Sequence, residues 1–151
     1  MQRFYTTCYI QGSTGRIDLN SRHKVDRQPV ISLIGVVDDD EFVRDALSRL
    51  LRSAGYKCAV FSSSREFLDS GPPETDCLLL DIQMPGLSGL DLQAKLREMD
   101  RGVPVIFVTA KADSEARARA LRQGAAAFFT KPFNDDALLG AIQSAMQNRL
   151  G

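Results

Sequence analysis

Three acidic residues and a glutamate stand in a row at Asp38-Asp39-Asp40-Glu41, and three more reactive groups, Asp81, Thr109 and Lys131, lie far from them in the chain. Clustered carboxylates repel one another, and in isolation their pKa values rise. A divalent cation relieves that repulsion, and an all-oxygen site that keeps water suits Mg²⁺. A cation and a lysine together can neutralise charge on a transferring phosphoryl group, which is most of what phosphoryl-transfer catalysis needs. One ionised carboxylate then serves as nucleophile, and a short hydroxyl can hydrogen-bond a phosphoryl oxygen. Taken singly, the same residues have plain explanations. An acidic run after a strand caps a helix, a threonine suits a strand and a lysine is usually solvated. The chemistry exists only if a fold brings them together.

The pattern around them supplies such a fold. Apolar, β-rich runs occur at Ile31–Val37, Lys57–Phe61, Cys77–Leu80, Val103–Val108 and Ala125–Phe129. Several lack alternation, as expected of strands covered on both faces. Helical spacing lies between them. Phe42, Val43, Ala46, Leu47, Leu50, Leu51 and Ala54 mark a helix stopped by Gly55. Arg65–Leu68 marks a short one, and Leu92, Leu96 and Met99 mark a third that starts near Ser88. Asp113 caps a fourth with Ala116, Ala120 and Leu121, ended by Gly124. Asn134 caps a fifth, where Asp135 and Asp136 suit the helix dipole. The expected class is α/β: a flavodoxin-like (βα)5 doubly wound parallel sheet, strand order 2-1-3-4-5. In that order the acidic run, Asp81, Thr109 and Lys131 all end neighbouring strands. Chance seldom supplies four such ends at once.

Composition sets the outer limits. With 151 residues, 44% hydrophobic and 25% charged, the chain has material for one packed domain and a tail. Formal net charge is zero, which gives no reason to expect direct nucleic-acid binding. Residues 1–29 carry five basic groups against two acidic ones and show no sustained periodicity. They are expected to form a flexible extension, with the domain proper at 30–151. No apolar run approaches a membrane span. Cys8, Cys58 and Cys77 have no metal-ligand spacing, and Cys58 and Cys77 read as small buried hydrophobes of a cytoplasmic protein. The single histidine, His23, lies in the extension, so no Ser-His-Asp triad sits in the body. No phosphate-cradling glycine loop follows the first strand, which argues against a flavin site.

Four segments together resemble the signature of bacterial two-component response-regulator receiver domains, closest in wording to the FixJ-like branch. They are Val36-Val37-Asp38-Asp39-Asp40, Leu80-Asp81 with Met84-Pro85 and Gly89, Val108-Thr109-Ala110, and Lys131-Pro132-Phe133. The resemblance runs from about Ile31 to Gln147. It implies that Asp81 is the phosphoacceptor, served by a histidine kinase or phosphotransfer protein. It implies that Asp39 ligates Mg²⁺ directly and Asp38 mainly through water, with the Gln83 carbonyl completing the protein ligands. Lys131 would pair with Asp81 and then with the phosphoryl group, and the Lys131-Pro132 peptide would be cis. Met84-Pro85 and Gly89 would shape the loop after strand 3, and Phe128 falls at the position of the family's switch aromatic.

The same resemblance implies a switch in which Thr109 moves toward the phosphoryl group and Phe128 turns inward. The output face would be helix 4, strand 5 and helix 5, suited to partner binding or homodimer pairing. Gln83 and Lys111 flank the acceptor and would tune hydrolysis of the acyl phosphate. Asp40 more naturally starts helix 1 than binds metal. Such a protein is a switch, not a turnover enzyme. The rivals are a fragment of a transcription factor without its DNA-binding domain, and an Asp-nucleophile phosphatase. The phosphatase is disfavoured because Gln83 stands where a second acid is required.

Overall fold

The computed structural model describes residues 31–70, 74–111 and 113–150, the side chains of 149 and 150 excepted. The extension expected over residues 1–29 lies outside the described residues, as does Cys8. Five strands alternate with five helices: β1 (Leu33–Val37), α1 (Glu41–Ser53), β2 (Lys57–Phe61), α2 (Ser64–Asp69), β3 (Cys77–Leu80), α3 (Gly89–Glu98), β4 (Val105–Thr109), α4 (Ser114–Arg122), β5 (Ala127–Thr130) and α5 (Asp135–Leu150). All pairings are parallel, and the order is β2-β1-β3-β4-β5, as expected.

Period-two side chains divide the core into two layers. Val37, Leu78, Leu80, Val105 and Phe107 face one side with Phe67, Leu92, Leu96 and Ala120 from α2, α3 and α4. Ile34, Val36, Leu79, Ile106 and Val108 face the other with Leu47, Leu51, Leu138 and Ile142 from α1 and α5. The central strands β1, β3 and β4 are therefore covered twice, which explains their unbroken apolar runs. Cys77 is buried with them, whereas Cys58, on the edge strand β2, is only half-buried.

Side-chain caps start every helix. Asp40, Ser63, Ser88 and Asp113 accept from the N–H groups of Phe42, Glu66, Asp91 and Ala116, and Asn134 accepts from Ala137. Each cap contributes about 1 kcal/mol. Gly55 and Gly124 follow α1 and α4 with φ of +94°, the left-handed stop expected of them.

Three strand starts differ from the apolar runs. Pro104 has no N–H for the ladder, so β4 begins at Val105 and the Pro104 carbonyl accepts from Leu78 instead. The Ala125 N–H closes α4 on the Ala120 carbonyl, which delays β5 to Ala127. Ile31 is 56% exposed, and β1 starts at Leu33, whose N–H meets the Asp76 carboxylate. Phe42 also departs from its place in the apolar stripe and is 85% exposed. Five residues before Leu47, it lies about 140° around the helix from the buried line.

Candidate functional site

Parallel register carries the strand ends into one place. Val37 pairs with Leu80, Leu80 with Phe107, and Thr109 with Thr130. The next residues, Asp38, Asp81 and Lys131, therefore emerge in step at the carboxyl edge, where open α/β sheets form their sites. They line a cleft of about 200 Å³ together with Asp39, Asp40, Gln83, Thr109, Ala110 and Lys111. A larger open cavity, about 490 Å³, lies among Gly102, Pro104, Gly124, Ala126 and α5, but no titratable side chain lines it.

Asp38 is 2% exposed and fully engaged. Its N–H donates to the Phe61 carbonyl at 3.1 Å. Its Oδ1 accepts from the Asp40 N–H at 2.9 Å, and its Oδ2 accepts from Lys131 Nζ at 2.9 Å. Lys131 Nζ lies 4.0 Å from Asp81 Oδ2. The ammonium thus leans on Asp38 rather than on Asp81, the partner expected of it, because the more deeply buried carboxylate needs it more. The Ile82 N–H donates to Asp81 Oδ1 at 2.8 Å. The Lys131-Pro132 peptide is cis.

Carboxylate oxygens of Asp38, Asp39 and Asp81 lie within 4.8 Å of one another. Three carboxylates face one ammonium, so the cluster carries surplus negative charge. Its effect is visible on Asp81, whose carboxyl is pushed above the ordinary range by burial first and by Asp38 second, against the opposing pull of Lys131. A hard cation with oxygen ligands fits that donor set. Thr109, 1% exposed, donates its hydroxyl to the Lys111 carbonyl at 3.2 Å. Gln83 and Lys111 are exposed at the cleft. Phe128 is half-buried on β5, its ring 5.9 Å from Phe107 and covered by the Arg117 guanidinium at 5.4 Å.

The raised Asp81 pKa has a consequence for stability. The folded state holds this proton more tightly than the unfolded chain, so stability falls as pH rises from the unfolded to the folded value. At neutral pH the ionised carboxylate opposes folding. Asp81→Asn keeps the shape and removes the charge. It is expected to stabilise the fold at neutral pH by on the order of 1 kcal/mol, from like charges in a partly buried site. The gain should shrink as pH falls from the raised folded value toward the ordinary carboxyl range, and vanish below that range. Urea midpoints measured across pH check this, and a gain of constant size at every pH would count against the assignment.

Two features escaped the sequence reading. Arg44 of α1 donates to the Asp38 carbonyl at 2.7 Å. It is in line with Leu47 and Leu51 on the buried stripe, an unusual place for an arginine and a usable signal. Gln93, 2% exposed, donates to the Ala120 carbonyl at 3.0 Å and accepts from Gln123 at 2.6 Å, tying α3 to α4. Arg119 extends the tie to Gln123 and Asp91. No local signal marked the pairing of these two glutamines.

Residues 34–143 match the family profile of the response regulator receiver domain. The chain belongs to that family. The receiver is 44% identical over 130 residues to the response regulator protein TmoT of Ectopseudomonas mendocina, an alignment covering 85% of this chain and 58% of the relative. Identity is 39% to nodulation protein W of Bradyrhizobium diazoefficiens, covering 89% and 60%, and 37% to the transcriptional regulatory protein FixJ of Azorhizobium caulinodans, covering 75% and 54%. The receiver thus spans a little over half the length of these relatives. Among solved structures, response regulator StyR superposes with a TM-score of 0.73 at 42% identity, covering 80% of this chain and 62% of that one. FixJ-N gives 0.72 at 29% identity, covering 79% and 96%. Among the described residues, no helix is long and apolar enough to cross a membrane.

Proposed function

We propose that Asp81 of this receiver accepts a phosphoryl group from the phosphohistidine of a histidine kinase or phosphotransfer protein in the cytoplasm. The acyl phosphate then biases the face of α4, β5 and α5 toward a partner or a second copy of the chain. The observation that most supports this reading is the convergence of Asp38, Asp39, Asp81, Thr109 and Lys131 on one small cleft. An oxygen of the Asp81 carboxylate attacks phosphorus while the donor's phosphorus–nitrogen bond breaks, and the departing imidazole nitrogen takes a proton. Asp38, Asp39 and Asp81, with the Gln83 carbonyl, would hold Mg²⁺, Asp38 mainly through water. Bound Mg²⁺ supplies positive charge against the phosphoryl oxygens.

The chain's own residues do the rest. Lys131 moves its charge from the carboxylates to the new phosphoryl oxygens. Thr109 gives up its bond to the Lys111 carbonyl and turns its hydroxyl toward the same oxygens. That frees the loop after β4 and opens room for Phe128, now half-buried, to turn inward. These steps shift the weights of existing conformations. Gln83 and Lys111 control water at the acyl phosphate and so the life of the signal. Mixed charges on the output face, among them Arg117, Arg119, Arg122, Asp113, Glu115, Asp135 and Asp136, suit pairing.

Acetyl phosphate and Mg²⁺ provide the test. Intact-mass measurement should show one phosphoryl adduct on the wild-type chain and none on Asp81→Asn. Labelling that survives the substitution, or sustained turnover of unrelated phosphate esters, would reject a receiver acting through Asp81.

A further inference from the structure

We infer that Arg44 is a positioning residue for the acidic loop: it pins the Asp38–Asp39 peptide and thereby aims the Asp39 carboxyl into the cleft. The inference rests on the proposed reading that this cleft holds a divalent cation.

The contact is short and charge-assisted. Arg44 donates to the Asp38 carbonyl at 2.7 Å, in the range of strong bonds from charged donors. Asp38 is already fixed at its N–H and at both carboxylate oxygens. Arg44 engages its last polar atom. Asp39 is the opposite case. It is exposed, and among the described residues no hydrogen bond or ion pair holds its carboxyl. Its place depends on the backbone at either side. The Asp40 N–H behind it is held by Asp38 Oδ1, and the Asp38 carbonyl ahead of it is held by Arg44. Without the guanidinium, that peptide plane can rotate, and the Asp39 carboxyl swings with it.

The backbone of Arg44 is fixed in helix α1. Its N–H donates to the Asp40 carbonyl at 3.0 Å in the first turn of α1. Its charge also acts on Glu66, whose carboxyl sits below its ordinary range chiefly through the Ser62 N–H and hydroxyl, with a smaller push from Arg44.

Charge and positioning predict opposite signs. A cation beside three carboxylates weakens their pull on Mg²⁺, so its removal by charge alone would tighten binding. Loss of a residue that orients a ligand weakens metal binding, typically tenfold or more. MgCl2 titration followed by amide chemical shifts reads the affinity of the folded protein without any phosphoryl transfer. Arg44→Met is expected to weaken Mg²⁺ about tenfold. Arg44→Lys, which keeps the charge and one donor, should fall between, and Arg49→Met, which removes an exposed charge from the same helix, should match wild type. Arg44→Gln repeats the test if the methionine variant folds poorly. Unchanged or tighter binding in the folded Arg44 variants overturns the inference and leaves the cation site standing. A wild-type chain that does not bind Mg²⁺ overturns both.

Discussion

Replacing Lys131 by methionine is expected to cost about 3–5 kcal/mol, the range for removing one partner of a buried ion pair. The ammonium is the only cation within 4.0 Å of the Asp38 and Asp81 carboxylates among the described residues. Those residues are 2% and 8% exposed, so water replaces it poorly. Desolvation and mutual repulsion would then be countered only by hydrogen bonds, such as those from the Asp40 and Ile82 N–H groups. The remedy open to the variant is proton uptake, so its deficit should be largest at neutral pH and shrink toward acid. Adding Asp38→Asn should recover much of the loss, because the two changes share one contact and are not additive. Mg²⁺ should stabilise the variant at millimolar concentrations if it binds there. Phosphoryl labelling of Asp81 should slow by about two to three powers of ten, as when one charge-stabilising donor is removed. Urea midpoints and labelling rates check these together. A cost below about 1 kcal/mol would mean that Lys131 behaves as an ordinary surface lysine.

The strand ends were legible because the parallel order follows from βα alternation, and parallel strands end on one edge. Asp38, Asp81, Thr109 and Lys131 could therefore be placed together without knowing any distance. β2 and β3 match their apolar runs to the residue, since nothing at their ends competes for the ladder. β4 and β5 do not, because Pro104 lacks a donor and the Ala125 N–H is drawn into the end of α4. The cap residues Asp40, Ser88, Asp113 and Asn134 were legible from local chemistry alone. Long-range choices were not. Whether Lys131 leans on Asp38 or Asp81 is decided by about one ångström and by relative burial. The Gln93–Gln123 bond joins residues 30 apart on different helices, and neither glutamine marks the other in the sequence. Arg44 shows the same limit from another side: its helix position was readable, but its acceptor, a backbone carbonyl, carries no sequence identity at all.

Gly89→Ala is expected to destabilise the receiver by about 3 kcal/mol, at the top of the usual range for overpacking. A Cβ there would lie 2.0 Å from the Asp81 carbonyl oxygen, 2.9 Å from the Asp81 carbonyl carbon and 3.1 Å from Ile82 Cα. All three are backbone atoms, so no side chain can swing aside. The requirement is one of space, since only Gly55, Gly86 and Gly124 among the described glycines have positive φ. The close approach brings the Gly89 N–H to the Ile82 carbonyl at 2.9 Å and starts α3 directly behind Asp81. Either α3 retreats and that bond is lost, or the Asp81–Ile82 backbone moves. The second route displaces the carboxyl proposed to receive the phosphoryl group. Stability and labelling of Asp81 should therefore fall together, which ordinary core damage far from the cleft would not do. Gly140→Ala is the matched control, because nothing lies within 4 Å of a Cβ there and α5 continues on both sides. That change should stabilise by about 0.5–1 kcal/mol. If Gly89→Ala instead kept wild-type stability and labelling, the backbone contact that sets Asp81 against α3 would not exist in solution.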